Sequence, residues 1–243
     1  MLKQKESFFL TRGYFTAEFL RAEGMKFVKP TGCPSLFFAP NEMRRSLTSL
    51  ANADLASAQK LALGGYLGSV ADTIVDAHAL LKPDSVASYV IQDEVVAYNL
   101  TLPVDDNDPV YDRSSGRITG KTEYKHQEKW QRENELMVFF DTNQWRAWAS
   151  SMDFNFGRRF HGSIIAMQAA VPSLMVAVDD RMREMLGFTG LPAVDVTEID
   201  KAENRAEFVA DHLAKLNTTE LVDRYSDRER AFRTTLREIG IAN

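Results

Sequence analysis

The sequence predicts an α/β fold built on a doubly wound parallel sheet, and three observations carry that expectation. Strand-like and helix-like segments alternate from about Lys60 to Val196. The run Lys60-Leu61-Ala62-Leu63 leads directly into Gly64-Gly65 and then a helical stretch, the usual opening of a nucleotide-type α/β domain. Tyr89-Val90-Ile91 is a continuous apolar run, as expected of a strand covered on both faces.

Taken in order, Ser7-Phe8-Phe9-Leu10 reads as the end of a strand, and Thr11-Arg12-Gly13 turns the chain into a helix over about 15–22. Gly24 suits the C-cap of that helix, and 25–28 forms a short second strand. A domain opening on such a β-α-β unit normally has more sheet beside it. The expectation is therefore the last unit of a domain whose beginning is absent. Thr31-Gly32-Cys33-Pro34-Ser35-Leu36 is a turn, and a polar helix follows over about 42–51. A helix is expected over 70–81 and a strand over 86–92. Residues 102–120 are rich in Asp, carry two Pro and two Gly, show no periodicity and read as an exposed loop. Next come a charged helix over 121–133, a buried strand over 136–140, and a short helix over 143–150 with Trp145 and Trp148. A strand ends at 154–157 and a helix occupies 163–170. Then follow a strand at 172–178, a short helix at 182–186, a strand at 193–196 and closing helices over about 202–216 and 220–239.

At 243 residues the chain can bury a full core, and 44% apolar with 26% charged residues is ordinary for a soluble globular protein. A net charge of −5 argues against a nucleic-acid partner held by bulk electrostatics, so an anionic substrate needs a local cluster of Arg or Lys. The single cysteine, Cys33, excludes an internal disulfide and fits a cytoplasmic location. No stretch approaches the ~20 apolar residues of a membrane span. The run Phe8-Phe9-Leu10 is shorter than a signal-peptide core.

In such sheets ligands sit beyond the carboxyl ends of strands, where helix N-termini present N–H groups and a positive dipole end. The segment from Asp153 to Ser163 falls at such a point. Gly157 and Gly162 allow close backbone approach, Arg158 and Arg159 add fixed charge suited to phosphate or carboxylate, and His161 adds a group that exchanges protons near neutrality. Spacing alone leaves this open beside a plain solvated Arg pair and a surface His. A second segment, Val178-Asp179-Asp180-Arg181-Met182-Arg183-Glu184, also ends a strand and opens a helix. Asp179 or Asp180 as a helix N-cap and a ligand role are compatible there. His78, His126 and His212 have no partner cluster, and no residue set has metal-ligand spacing. Cys33 beside Pro34 reads as buried packing rather than a nucleophile, and no Gly-x-Ser-x-Gly elbow occurs.

The run from Asp153 to Pro192 resembles the C-terminal half of the polysaccharide pyruvyl transferase family. The resemblance rests on Gly157, Arg159, His161 and Gly162, then Val171-Pro172, then Asp179, Arg181 and Glu184, then Leu191-Pro192. Thr11-Arg12-Gly13, the turn from Thr31 to Leu36, and Phe139-Phe140-Asp141 with Trp145 extend it upstream. Family members often carry a His before the Asp of the second segment, where this chain has Val178.

What the resemblance implies is transfer of the pyruvyl group of phosphoenolpyruvate to two hydroxyls of a sugar, as a cyclic ketal, in surface or exopolysaccharide biosynthesis. It implies no cofactor besides that donor substrate, no metal, and a sugar or oligosaccharide acceptor. The family's fold is similar to that of two-domain glycosyltransferases of the GT-B type. This makes 1–40 a remnant of the first Rossmann-like half with its connector, 41–200 the donor-binding domain, and 201–243 C-terminal helices. His161 is the implied acid/base. Arg159, Arg12 and Arg158 are the implied anion-binding residues, Gly162 and Ser163 backbone donors, and Arg181 and Glu184 further substrate contacts. Association through the face left by the missing half is expected. Two other readings stand beside this one. A glycosyltransferase of the same architecture would use Glu184 on a ribose and His161 on a diphosphate. A truncated remnant would bind but do no chemistry.

Overall fold

A computed structural model of the chain describes residues 7–55, 57–64, 86–92, 112, 114–118 and 135–241. The helices expected over 70–81 and 121–133 lie outside those residues. The described strands are β1 (Phe9–Thr11), β2 (Val28–Pro30), β3 (Lys60–Gly64), β4 (Val86–Val90), β5 (Glu135–Met137), β6 (Phe154–Gly157), β7 (Ser173–Ala177) and β8 (Ala193–Asp195). The helices are α1 (Tyr14–Ala22), α2 (Pro40–Ser49), α3 (Thr142–Ala149), α4 (Phe160–Met167), α5 (Asp180–Thr189), α6 (Val196–Lys201), α7 (Arg205–Ala214) and α8 (Thr218–Glu238). A 3-10 turn at Pro34–Phe37 precedes α2.

Six strands form one sheet in the order β5-β4-β3-β6-β7-β8, parallel throughout. Successive strands are laid to one side of β3 and then, from β6 onward, to the other. This is the doubly wound, Rossmann-like order, and it reverses between β3 and β6. Strand sequences such as Ser173-Leu174-Met175-Val176-Ala177 are buried at every position, as a sheet covered on both faces requires. Phe154, Phe156, Leu61, Leu63, Tyr89 and Leu174 join the helix residues Met43, Leu47, Ile164 and Met185 in one core.

The strands β1 and β2 lie apart from this sheet and pair in parallel with one another, Phe9 opposite Val28 and Thr11 opposite Pro30. The second strand begins three residues later than the sequence suggests. The chain is still closing α1 there: Gly24 takes φ +87°, and Met25 donates its N–H to the carbonyl of Leu20. The unit docks through α1, whose N-cap Gly13 supplies no side chain. Glu184 of α5 fills that role from 168 residues away: its carboxylate accepts from the N–H of Thr16 at 2.7 Å and the hydroxyl of Thr16 at 2.9 Å. Tyr14 packs edge-on against Phe188 beside it.

Two further expectations change. At the end of the stretch read as an exposed loop, Arg117 bridges antiparallel to Met137 and Ile118 is only 2% exposed. The backbone N–H of Ile118 donates to Leu136, so this end of the stretch lies on the sheet edge and not in solvent. Between β8 and α7, α6 is an additional helix, started by a capping box in which Asp195 and Glu198 satisfy each other's backbone N–H groups. Asp195 also accepts from Arg183 at 2.7 Å. That bond first, then those from Thr197, hold its carboxyl well below the usual carboxylate range.

The closing helix α8 runs back over the early part of the chain. Tyr225 donates its hydroxyl to the carbonyl of Leu36 at 2.9 Å, and Phe232 stacks on Phe37 with centroids 4.5 Å apart. Glu229, 7% exposed, is neutralised by Arg44 of α2 and by Arg233, whose Nε donates at 2.8 Å.

A Cβ at position 13 would stand 2.3 Å from Cγ of Glu184. Gly13→Ala is therefore expected to displace that carboxylate and leave Thr16 unpaired, at a cost of about 1–3 kcal/mol. A urea titration reads the loss, and an unchanged midpoint would contradict the docking role given to Glu184.

Candidate active site

The strand β6 ends at Gly157, directly opposite Gly64 at the end of β3, at the point where the strand order reverses. The N–H of Arg158 donates to the carbonyl of Gly64 at 2.6 Å, which carries the chain across that seam before it turns into α4. The helix starts at Phe160, three residues earlier than the sequence suggests. This makes Arg159 its N-cap and places Phe160, His161 and Gly162 in the first turn. The N–H of Ser163, expected to face a ligand, already donates to the carbonyl of Arg159 at 3.1 Å. The N–H groups that a helix start leaves without an intrahelical acceptor lie just before it in the first turn, and the N-cap Arg159 makes no side-chain cap bond. The hydroxyl of Ser163 lies over Gly157, where an added Cβ would meet it at 2.8 Å.

His161 is exposed and sits edge-on to Phe160. Its Nε2 lies 3.4 Å from Sγ of Cys33, a buried residue 128 positions earlier in the chain. Sequence reasoning assigned Cys33 to packing and missed this contact. Its position within Thr31-Gly32-Cys33-Pro34-Ser35, one of the motifs behind the family resemblance, was the available signal. Burial pushes the Cys33 thiol up, but hydrogen bonds with His161 and then Ser35, together with the charge on His161, outweigh that and bring it to about 7. The turn is set by Gly32 at φ +79°, pressed against Leu36 and Phe188 at 3.2 Å from where a Cβ would stand. Backbone donation from Thr31 and Gly32 to the carbonyl of Thr11 ties the turn to the end of β1.

Behind the seam, Asn155 of β6 and Gly162 line a narrow crevice with Gly64, Gln92, Trp145 and Trp148. Among the described residues, Asn155 Nδ2 and Ser163 Oγ are buried without a protein hydrogen-bond partner. Buried polar atoms of this kind call for a water or a ligand.

The remaining expected residues gather elsewhere. Arg12, Arg181 and Glu184 line one open cleft of about 520 Å³ with Thr11, Thr16 and the apolar Phe8, Phe9, Leu10 and Leu20. Arg181 lies 3.9 Å from Asp179, which caps α5 by accepting from the N–H of Met182 at 2.7 Å. Arg183 is bound to Asp180 and Asp195. The two sequence segments thus resolve into a basic turn with His161 at the switch point and a separate cleft at the mouth of β1. Among the described residues no group of His, Cys, Asp and Glu could hold a metal ion, and no helix is long and apolar enough to cross a membrane.

A family model described as polysaccharide pyruvyl transferase matches residues 1–180, three quarters of the chain. The chain belongs to that family. Comparison with curated proteins and with solved structures gives no match. The family is one of transferases that move a pyruvyl group in polysaccharide biosynthesis, and the match takes in β1 to β7 with both expected residue clusters up to Asp180. At the seam Gly157 is a packing requirement, since an added Cβ would stand 2.8 Å from the hydroxyl of Ser163. Gly157→Ala is expected to cost about 1–3 kcal/mol by overpacking against Ser163. Gly187→Ala, in open space within α5, is expected to gain up to ~1 kcal/mol. Chemical denaturation of the two variants side by side checks both signs.

Proposed function

We propose that the chain transfers the pyruvyl group of phosphoenolpyruvate to a pair of hydroxyls on a sugar, forming a cyclic ketal in surface polysaccharide synthesis. The observation that carries this reading is the turn from β6 into α4. It brings Arg158, Arg159 and His161 to an uncapped helix N-terminus at the point of strand reversal. The donor carries a phosphate and a carboxylate, and it reacts by taking a proton on its methylene carbon. A cationic turn with helix N–H groups binds such an anion, and a neighbouring imidazole can deliver the proton.

His161 gives a proton to the methylene carbon, which becomes a methyl group while positive charge develops at the neighbouring carbon. A sugar hydroxyl adds there, returning its proton to the imidazole, and a second hydroxyl closes the ring as phosphate departs with the proton it releases. Arg159 holds the donor's anionic groups with Arg158 beside it, and the N–H groups of Phe160, His161 and Gly162 take up charge on the departing phosphate. The buried hydroxyl of Ser163 lies beneath this turn. Arg12 and Arg181, at the 520 Å³ cleft, supply a second cationic surface for the substrates. Glu184, bound to Thr16, shapes that cleft by fixing α1. That engagement weighs against Glu184 as a ribose-binding residue, as the nucleotide-sugar reading would have it. Exposed Phe8, Leu10, Phe15, Phe19 and Phe27 support association through the β1–α1–β2 unit.

His161→Ala is expected to lose ketal formation by a factor on the order of 10² or more while keeping the wild-type melting temperature. Arg159→Lys is expected to raise KM for phosphoenolpyruvate by about tenfold, because an ammonium cannot grip an anion through two parallel N–H bonds. Product formation by mass spectrometry reads both. Retained activity in His161→Ala would remove the assignment, and calorimetry with phosphoenolpyruvate against nucleotide-sugars would separate it from glycosyl transfer.

A further inference from the structure

A proton donor to carbon works only if it is protonated when the substrate binds. His161 lies in the first turn of α4, where a positive ring meets the positive end of the helix dipole. An acid there must also be held in one orientation, and the structure places a partner against its far nitrogen: Cys33, with Sγ 3.4 Å from Nε2.

We propose that Cys33 is a positioning residue whose sulfur, against Nε2 of His161, fixes the ring. It holds the imidazole turned so that Nδ1–H serves the donor. The inference rests on the pyruvyl-transfer reading of His161. Cys33 touches the acid, not the substrate. When the donor reacts, the Nδ1–H bond breaks as a C–H bond forms at the methylene carbon. The ring is left neutral, with Nε2–H still donating to the sulfur of Cys33. The attacking sugar hydroxyl then returns its proton to Nδ1, and the pair is reset with no net change.

The surroundings of Cys33 favour this state. Ser35 of the 3-10 turn hydrogen-bonds the sulfur at 3.1 Å, and His161 of α4 contributes both a hydrogen bond and charge. Apolar Leu36 and Phe188 cover the flank at Gly32 and add to the burial that opposes a thiolate, and the hydrogen bonds still bring the thiol down to about 7. The sulfur is held from both sides, since Thr31 and Gly32 are tied to Thr11, and Leu36 is tied to Tyr225.

Cys33 is the only cysteine of the chain, so ultraviolet thiolate absorbance of the whole protein, less that of Cys33→Ser, reports on it alone. The expected half-titration lies at about pH 7 in the wild type. In His161→Gln it is expected to rise by about one unit or more. The same midpoint in both proteins would overturn the pair. In assays of pyruvyl transfer, Cys33→Ala is expected to lower kcat by about tenfold, and Cys33→Ser, which keeps an acceptor beside Nε2, to recover part of that loss. KM for phosphoenolpyruvate stays constant, because no substrate contact is lost. An unchanged kcat in Cys33→Ala would refute the role. Should the wild-type chain transfer no pyruvyl group, the functional reading falls, and the thiolate titration still decides the pair by itself.

Discussion

Gly64 and Gly157 end side by side at the carboxyl edge of the two central strands, and the placement of everything chemical follows from that seam. Strand order runs outward from β3 in one direction and from β6 in the other. Of the two connections that leave this point, the described one runs from β6 into α4. A Cβ at Gly157 would stand 2.8 Å from the hydroxyl of Ser163, whereas one at Gly64 would find ordinary contacts with Gln92 and Arg159. The hydrogen bond from Arg158 to Gly64 carries the chain across the seam, and α4 then starts at Phe160 with Arg159 as its N-cap. A parallel sheet thus converts a packing constraint in its middle into a basic helix terminus at its rim.

The second constraint is a carboxylate used as a helix cap at long range. Glu184 satisfies Thr16 at the start of α1 and so moors a two-stranded unit that pairs with none of the six central strands. Two isolated parallel strands gain little stability alone. The unit is ordered by this contact and by Tyr14 on Phe188, with Arg228 of α8 over both rings. The cleft beside it brings Arg12 and Arg181 to one surface although 169 positions separate them in the chain.

Much of this was legible in the sequence, for reasons that can be named. Apolar runs such as 154–157 and 173–177 have to be strands buried on both faces, and the glycines beside them mark where strands give way to helices. The start of α4 was misplaced because Phe160 and His161 have no special helix-starting character. The N-cap there is an arginine, and the turn is set by the seam and not by local preference. Cys33 was hidden for a different reason. Its chemistry depends on a contact spanning 128 residues, and nothing in the local pattern of Gly-Cys-Pro-Ser distinguishes a buried thiol from one facing an imidazole. Glu184 was recognised as important, but its partner was not. A carboxylate that meets a backbone N–H 168 residues away leaves no spacing to read.

The closing helix α8 lies wholly beyond the 180 residues that the family model covers. It nonetheless grips the 3-10 turn after Cys33 through Tyr225 and Phe232, and Lys29 of β2 pairs with Glu238 at its far end. The helix acts as a strap over the turn that carries the thiol. Sequence drift along its outer face can loosen or tighten that turn by small steps. The seating of Cys33 beside His161 is thereby open to adjustment from a segment outside the matched residues.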